Sequence, residues 1–165
     1  MSSPPVSRDA HPLEALSGEE IRAAVAAVRA TGRLGEAARF SAVTLDEPSK
    51  EHIAAFRPGA LPERRARVTI VPGAECSVIE AVVDLVELTV MSWQPRDDVR
   101  PALLFEESFN AIVALHEHEG FRDALAARGI TDLAKLQIDP WPTGNFAIPA
   151  EEGRRIVRCL SLIHI

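Results

Sequence analysis

The most informative stretch for the fold of this chain is residues 105–146, with the sequence FEESFNAIVALHEHEGFRDALAARGITDLAKLQIDPWPTGNF. The first part of this stretch has the pattern of an amphipathic helix. Apolar side chains and one histidine recur at the spacing of a single helical face, at Phe105, Phe109, Ile112, Val113 and His116. We therefore expect a helix here with that face buried.

A second, shorter helix follows directly. Phe121, Leu125 and Arg128 lie at helical spacing. Gly129 is expected to end this helix, because glycine readily takes the left-handed conformation found just beyond a helix C-terminus. Ile130 would then make the apolar contact that accompanies such an ending.

A strand comes next, at 135–139. Leu136 and Ile138 alternate with Lys135, Gln137 and Asp139, so one face of the strand is apolar and the other is polar. Pro140 has no amide hydrogen, and we expect it to end the strand.

Towards the N-terminus, another helix begins at a well-defined signal. Ser17 followed by Glu20 is the capping-box pattern, and Leu16 and Ile21 occupy the two positions of a hydrophobic staple. The residues expected on the buried face are Ile21, Ala24, Val25 and Val28.

Four segments with strand character follow this helix, at about 39–46, 65–71, 77–85 and 88–94. The loop between the first two is expected to hold one helical turn around Ile53 and Phe56. The connections are too short for parallel crossovers, so an antiparallel sheet with a helix across one face is favoured.

The chain is thus expected to form two α+β units. Residues 1–11 are rich in Ser, Pro and charge and are predicted to be a loose tail. Residues 12–94 form the first unit, and 95–101, with proline at both ends and mixed charge, form a linker. Residues 102–165 form a second unit that again runs from helix to strands, and its last strand lacks cover, so this unit is expected to be incomplete.

Composition and charge exclude several functional classes. A net charge of −6 and a pI near 5.4 disfavour nucleic-acid binding. No apolar run approaches the roughly 18 residues needed to span a bilayer, and the N-terminus has no apolar segment typical of a signal peptide. A cytoplasmic protein without a membrane partner is expected. Cys76 and Cys159 lie in no metal-binding or redox pattern and are interpreted as buried thiols.

The order of the motifs resembles one known family. HPLEALSGEEI at 11–21, RFSAVTLDEP at 39–48, EAVVDL at 80–85, AARGI at 126–130 with DPW at 139–141, and Gly153-Arg154-Arg155 follow one another as in the small N-terminal domains of the copper amine oxidases. The resemblance runs from about His11 to Ser161. It implies two consecutive cystatin-like α+β domains that precede a large catalytic domain absent from this chain.

The same resemblance implies a function for the parent protein. Copper amine oxidases convert a primary amine, oxygen and water to an aldehyde, ammonia and hydrogen peroxide, using copper and topaquinone, usually as homodimers. Phe109, Pro140 and Trp141 match positions where the second small domain meets the catalytic domain near the mouth of the amine channel. Ordinary packing of Trp141 remains open as the alternative.

No catalytic or metal-binding residue is predicted in this chain itself. Topaquinone is made from a tyrosine, and the sequence contains none. His116 and His118 resemble the family's His-x-His copper pair, but residues two apart on a helix point about 200° apart. We expect these histidines to lie near the carbonyl groups at the end of the helix instead.

The acidic residues likewise lie in no matching motif. The family's general base is an aspartate, and Asp84, Asp123, Asp132 and Asp139 are interpreted as turn and cap residues. Glu106 and Glu107 are interpreted as acidic charge in the first turn of a helix.

Two alternatives to an amine oxidase fragment remain at this stage. Fold classes of this kind also include free-standing ligand- or protein-binding modules without catalysis. The second alternative is a subunit that only mediates oligomerisation.

Overall fold

The computed structural model describes residues 6–8, 10–73, 77–144 and 146–163. It divides into two compact units, unit 1 extending to Pro101 and unit 2 beginning at Ala102. Both combine helices with antiparallel strands, so the predicted α+β class is confirmed. Cys76, interpreted above as a buried thiol, lies outside the described residues.

Unit 1 is a four-stranded antiparallel sheet with a helix across one face. Its elements are α1 (Gly18–Ala30), β1 (Arg39–Asp46), α2 (Lys50–Ala55), β2 (Arg65–Val71), β3 (Val78–Asp84) and β4 (Thr89–Arg96). The strand order β1-β2-β3-β4 follows the chain, as short connections require. The inward residues of β2 and β3, such as Val68, Ile70 and Val83, are fully buried and pack with Ala24 and Val28 of α1.

The start of α1 is built as predicted. The Glu20 N–H donates to Ser17 Oγ at 3.2 Å, and the Ser17 N–H donates to Glu20 Oε2 at 2.7 Å. Both hydrogen bonds are local, which explains why the sequence pattern was sufficient to predict them.

Two features of unit 1 differ from the sequence prediction. Val6, in the predicted tail 1–11, is only 6% exposed and belongs to the core. β4 continues through Pro95 to Arg96, so the first two residues of the predicted linker belong to the sheet. Proline is tolerated there because β4 is an edge strand, whose outer amide groups need no partner.

Unit 2 is a pair of helices beside a two-stranded sheet. Its elements are α3 (Phe105–Glu117), α4 (Glu119–Ala126), a 3₁₀ turn (Leu133–Lys135), β5 (Leu136–Pro142), a second 3₁₀ turn (Pro149–Glu151) and β6 (Val157–Ile163). α3 packs against β5 and β6. Among the described residues of this unit, Leu125 and Ile138 are the buried apolar side chains.

The ending of α4 agrees with the prediction. Gly129 has φ +79°, the Ile130 N–H donates to the Leu125 carbonyl at 3.0 Å, and the Gly129 N–H donates to the Ala126 carbonyl at 2.9 Å. This pair of hydrogen bonds is the Schellman motif.

The predicted end of β5 at Pro140 is wrong. The strand begins at Leu136 and runs on to Pro142, with Pro140 opposite Cys159. Because β5 pairs only with β6 in the described sheet, one edge of β5 has no partner strand, and proline is compatible with such an edge.

The predicted buried face of α3 is also largely wrong. Phe105 is 88% exposed, Phe109 is 58% exposed, and Val113 is exposed as well. The inward face carries Ile112 and His116, both half-buried, with Ser108, Ala111 and Leu115. Two strands make a sheet too narrow to cover the whole apolar stripe of the helix.

Candidate functional site

The three residues predicted at a channel rim lie on two elements of unit 2. Pro140 and Trp141 are neighbours in β5, so their side chains point to opposite faces of the sheet. Pro140 is half-buried and Trp141 is 59% exposed. Phe109 lies on α3, which packs against β5. The structure therefore places the two aromatic side chains at the surface.

These aromatics belong to two sets of exposed apolar side chains in unit 2, one on the outer side of α3 and one on the outer face of the sheet with the loop after β5. We call the two sets together the apolar surface of unit 2. On α3, three of its members are spaced four residues apart and so share one side of the helix. On the sheet, the register places Trp141, Leu160 and Leu162 on the same outer face. The members are Phe105, Phe109, Val113, Trp141, Phe146, Ile148, Leu160 and Leu162.

The corresponding face of the sheet in unit 1 is polar. Arg65, Arg67 and Thr69 of β2 point away from α1, and Thr69 lies opposite Glu80 of β3. A solvent-facing sheet normally looks like this. The outer face in unit 2 differs in that Trp141, Leu160 and Leu162 lie on it beside Gln137, Asp139 and Arg158, which makes the exposed apolar side chains a candidate site of interaction.

One cation lies within the apolar surface. Arg158 is opposite Trp141 in the β5–β6 register, and its guanidinium lies 5.7 Å from the centroid of the Phe146 ring. It also donates to Glu151 Oε1 at 2.8 Å. Arg158 thus joins the strand to the loop that carries Phe146.

An ion pair fixes the start of α3 and so the position of Phe109. The Leu104 N–H donates to Glu107 Oε2 at 2.8 Å, and Arg155 contacts both oxygens of the same carboxylate through Nε and Nη2. Arg155 Nη2 also donates to the Ala102 carbonyl at 2.8 Å. These hydrogen bonds hold the pKa of Glu107 below its usual value, the bond from Arg155 being the largest cause.

Unit 1 contains the same arrangement. Glu20, also the third residue of its helix, receives Arg64 Nε on one oxygen and Arg64 Nη2 at 3.1 Å on the other. Arg64 Nη2 also donates to the Ala15 carbonyl at 3.0 Å, just before the helix. Arg64 directly precedes β2, and Arg155 lies two residues before β6. Each arginine thus comes just before the second strand of an antiparallel pair, so the two units share an equivalent ion pair.

Sequence reasoning identified only one of the four residues in these two ion pairs. Glu20 was identified through the Ser17 capping box, whereas Glu107, together with Glu106, was interpreted as acidic charge in the first turn of a helix. The pairing of Arg64 and Arg155 with these glutamates was missed, since the two arginines lie 44 and 48 residues from their carboxylates. No local spacing rule connects residues so far apart.

The two histidines do not form a pair. His116 is in the last turn of α3, but His118 follows the helix and caps α4, where its Nδ1 accepts the Phe121 N–H at 3.1 Å. The expectation that both lie at helix-end carbonyl groups is therefore wrong for His118. The ring of His118 therefore lies at the N-terminus of α4, away from the position of His116 in α3.

The described residues provide no metal centre. No group of three or more His, Cys, Asp or Glu side chains that could hold a metal ion occurs among them. Asp84 accepts the N–H groups of Val86 and Glu87 in a turn, and Asp132 caps a 3₁₀ turn, as predicted. The same interpretation is wrong for Asp123, which lies within α4, and for Asp139, which lies within β5. The described helices include none that is long and apolar enough to cross a membrane.

Cys159 is the cysteine that the structure describes. It lies half-buried in β6 opposite Pro140, and burial raises the pKa of its thiol. A raised pKa means less thiolate, the reactive form.

Comparison with known proteins identifies relatives of the chain. Residues 11–96, most of unit 1, match the profile of the copper amine oxidase N2 domain. A primary amine oxidase of Arthrobacter sp. strain P1 is 36% identical over 154 residues, and a primary amine oxidase of Klebsiella aerogenes is 33% identical over 144 residues. The first match covers 93% of this chain and the second 86%.

The chain spans only part of these relatives. It corresponds to 23% of the length of the Arthrobacter protein and 19% of the Klebsiella protein. A copper-containing benzylamine oxidase from Hansenula polymorpha has a similar fold, with a TM-score of 0.72 over 92% of this chain and 24% of that one, at 18% sequence identity.

Proposed function

Because this chain belongs to the copper amine oxidase family, we propose that it is the non-catalytic N-terminal part of a primary amine oxidase. One observation supports the proposal most directly: most of this chain aligns with each relative, but it covers only 19–24% of the relative's length. The catalytic domain of the same polypeptide would be the principal partner of these two units.

The parent reaction is the oxidation of a primary amine with oxygen and water to an aldehyde, ammonia and hydrogen peroxide. Copper and topaquinone would serve it. This chain does not fit either group, since it contains no tyrosine to be oxidised to topaquinone and its described residues offer no ligand cluster. Both would reside in the remainder of the parent, so this part alone is expected to be inactive.

The apolar surface of unit 2 is the feature through which the chain would contribute to the enzyme. Its side chains are exposed here, and burying them against the catalytic domain would remove apolar area from water at roughly 25 cal/mol per Å². Phe109, Pro140 and Trp141 would lie at the rim of the amine channel, where the two aromatic side chains would help to select substrates by size. We also propose a homodimeric parent in the cytoplasm.

Activity measurements test this proposal. The chain alone and the complete reading frame are assayed for peroxide release with methylamine and with benzylamine in the presence of copper. We expect activity only from the complete protein. If the complete frame encodes no amine oxidase, the proposal fails and a free-standing binding module becomes the better interpretation.

Substitutions at the rim test the role of unit 2. In the complete protein, Trp141→Ala and Phe109→Ala are expected to change kcat/KM several-fold for benzylamine and much less for methylamine. Leu13→Ala, at an exposed apolar residue of unit 1, is the matched control. Equal effects on both amines would contradict a place at the rim.

A further inference from the structure

Unit 1 has an open groove of about 440 Å³ between the end of α1 and strand β4. Ala27, Ala30 and Thr31 line it on the helix side, and Val90, Met91 and Trp93 line it on the strand side. We propose that this groove binds an extended acidic peptide segment, which adds to the sheet beside β4. The inference concerns unit 1 alone and does not depend on the proposed function.

The strand beside the groove is suited to pairing. β4 is the edge of the described sheet, so its outer backbone groups have no neighbouring strand there. β4 ends in Pro95 and Arg96, and proline and charge are two of the devices by which proteins block an edge. The part of the strand that lines the groove, residues 88–93, contains neither, so pairing is proposed for that part alone. A helix beside an edge strand is a known arrangement for peptides that bind by strand addition.

A bulge in β4 supplies an apolar contact. Ser92 lies opposite Val82 and Val90 opposite Val83, which leaves Met91 as the extra residue between them. Met91 is 56% exposed and lines the groove. Methionine adapts its shape to a partner, and β-bulges redirect side chains in this way.

The charge of the groove indicates the chemistry of the segment. Arg33 lies with its guanidinium 5.3 Å from the centroid of the Trp93 ring. It has no carboxylate within ion-pair distance among the described residues, whereas Arg65 and Arg67 both contact Asp46. A guanidinium stacked on a ring keeps its in-plane N–H donors available for a carboxylate.

No acidic side chain lines the groove, all of whose residues are described. Arg33 is thus its sole charged residue. An incoming segment with carboxylates would satisfy the arginine, while its backbone would satisfy the free edge of β4. A basic segment would meet repulsion at the same point, so charge complementarity selects the acidic one.

The probe is an end-blocked nonapeptide of alternating threonine and glutamate, added to the complete 165-residue chain. Amide chemical shifts and fluorescence anisotropy report binding. We expect shifts concentrated at residues 27–33 and 88–94. A peptide with lysine in place of glutamate, and one with alternate N-methylated residues that cannot donate hydrogen bonds, are both expected to bind at least tenfold more weakly.

Arg33→Gln is expected to weaken binding of the acidic peptide about tenfold, because a charge-assisted contact is lost. Arg122→Gln, on α4 of unit 2, is the matched control and should leave binding unchanged. Circular dichroism of both variants verifies folding.

Three results would overturn the proposal. The first is equal binding of the lysine peptide or of the N-methylated peptide. The second is a set of amide chemical-shift changes that lie outside the groove, or no changes at all at a millimolar concentration of the peptide. The third is a dimer that forms as the protein concentration rises and changes the chemical shifts of the β4 amides without any peptide. That result would mean that the edge of β4 binds a second copy of the chain.

Discussion

Arg64 and Glu20 form a buried ion pair that joins the residue before β2 to the first turn of α1. Their side chains are 1% and 4% exposed, and Arg64 Nη2 lies 3.1 Å from Glu20 Oε2. Burial alone would raise the pKa of Glu20, but the hydrogen bonds from Arg64 and Ser17 outweigh it and lower the pKa. The pair holds the helix on the sheet, and its equivalent in unit 2 is Arg155 with Glu107.

Breaking the buried pair should destabilise unit 1 strongly. Glu20→Gln retains a side chain able to cap the helix but leaves Arg64 without its counter-charge, and we expect a loss of about 3 kcal/mol. Urea denaturation followed by Trp93 fluorescence, in a Trp141→Phe background, measures it. Asp46→Asn, which removes the more exposed pairs with Arg65 and Arg67, should cost less than about 1 kcal/mol. Equal losses in the free energy of unfolding for Glu20→Gln and Asp46→Asn would show that burial of the ion pair does not matter here.

The pair in unit 2 should make its stability depend on pH. The pKa of Glu107 is lowered in the folded state, so its contribution is complete above the ordinary value of 4.5. That contribution is lost as the pH falls from 4.5 through the lowered folded pKa. Denaturation followed by Trp141 fluorescence in a Trp93→Phe background should show this decline, and Glu107→Gln should flatten it. An unchanged slope in the variant would assign the decline to other groups.

The segment after β4 should be the first site of proteolysis. Asp97 and Asp98 are exposed in a bend, whereas Asp46 and Asp84 lie in strands. A protease that cleaves before aspartate should therefore cut first at Asp97 or Asp98, as identified by mass spectrometry. First cuts within unit 1 or unit 2 would argue against a linker at 95–101.

Hydrogen exchange should be slower in unit 1 than in unit 2. Val68, Ile70 and Val83 are fully buried in the first sheet, while Leu125 and Ile138 are the buried apolar residues described in unit 2. Amides of β2 and β3 should exchange at the rate of global unfolding, and those of β5 and β6 faster. Equal protection in a monomer would mean that two strands suffice for a stable second unit.

Copper should bind this chain no better than it binds a protein with scattered surface histidines. His118 Nδ1 is occupied by the Phe121 N–H, and His116 is half-buried in α3. Calorimetry with copper is expected to show no stoichiometric binding below micromolar concentration. Such binding, lost in His116→Ala and His118→Ala, would contradict our interpretation of these histidines.

Local signals in the sequence were sufficient for several elements. The capping box at Ser17 and Glu20, the helix ending at Gly129 and the alternation in β2 and β3 were all predicted from the sequence, because each depends on hydrogen bonds or periodicity within a few residues. The site residues Phe109, Pro140 and Trp141 came from resemblance to the family, and their role at a channel rim stays a prediction.

Only the tertiary structure decided the rest. The apolar stripe of α3 reads as a buried face, yet Phe105 and Phe109 are exposed because burial depends on what covers a helix and not on its own pattern. Pro140 continues a strand because β5 has a free edge. Arg64 meets Glu20, and Arg155 meets Glu107, because folding brings together residues that are distant in the chain and that no local spacing connects.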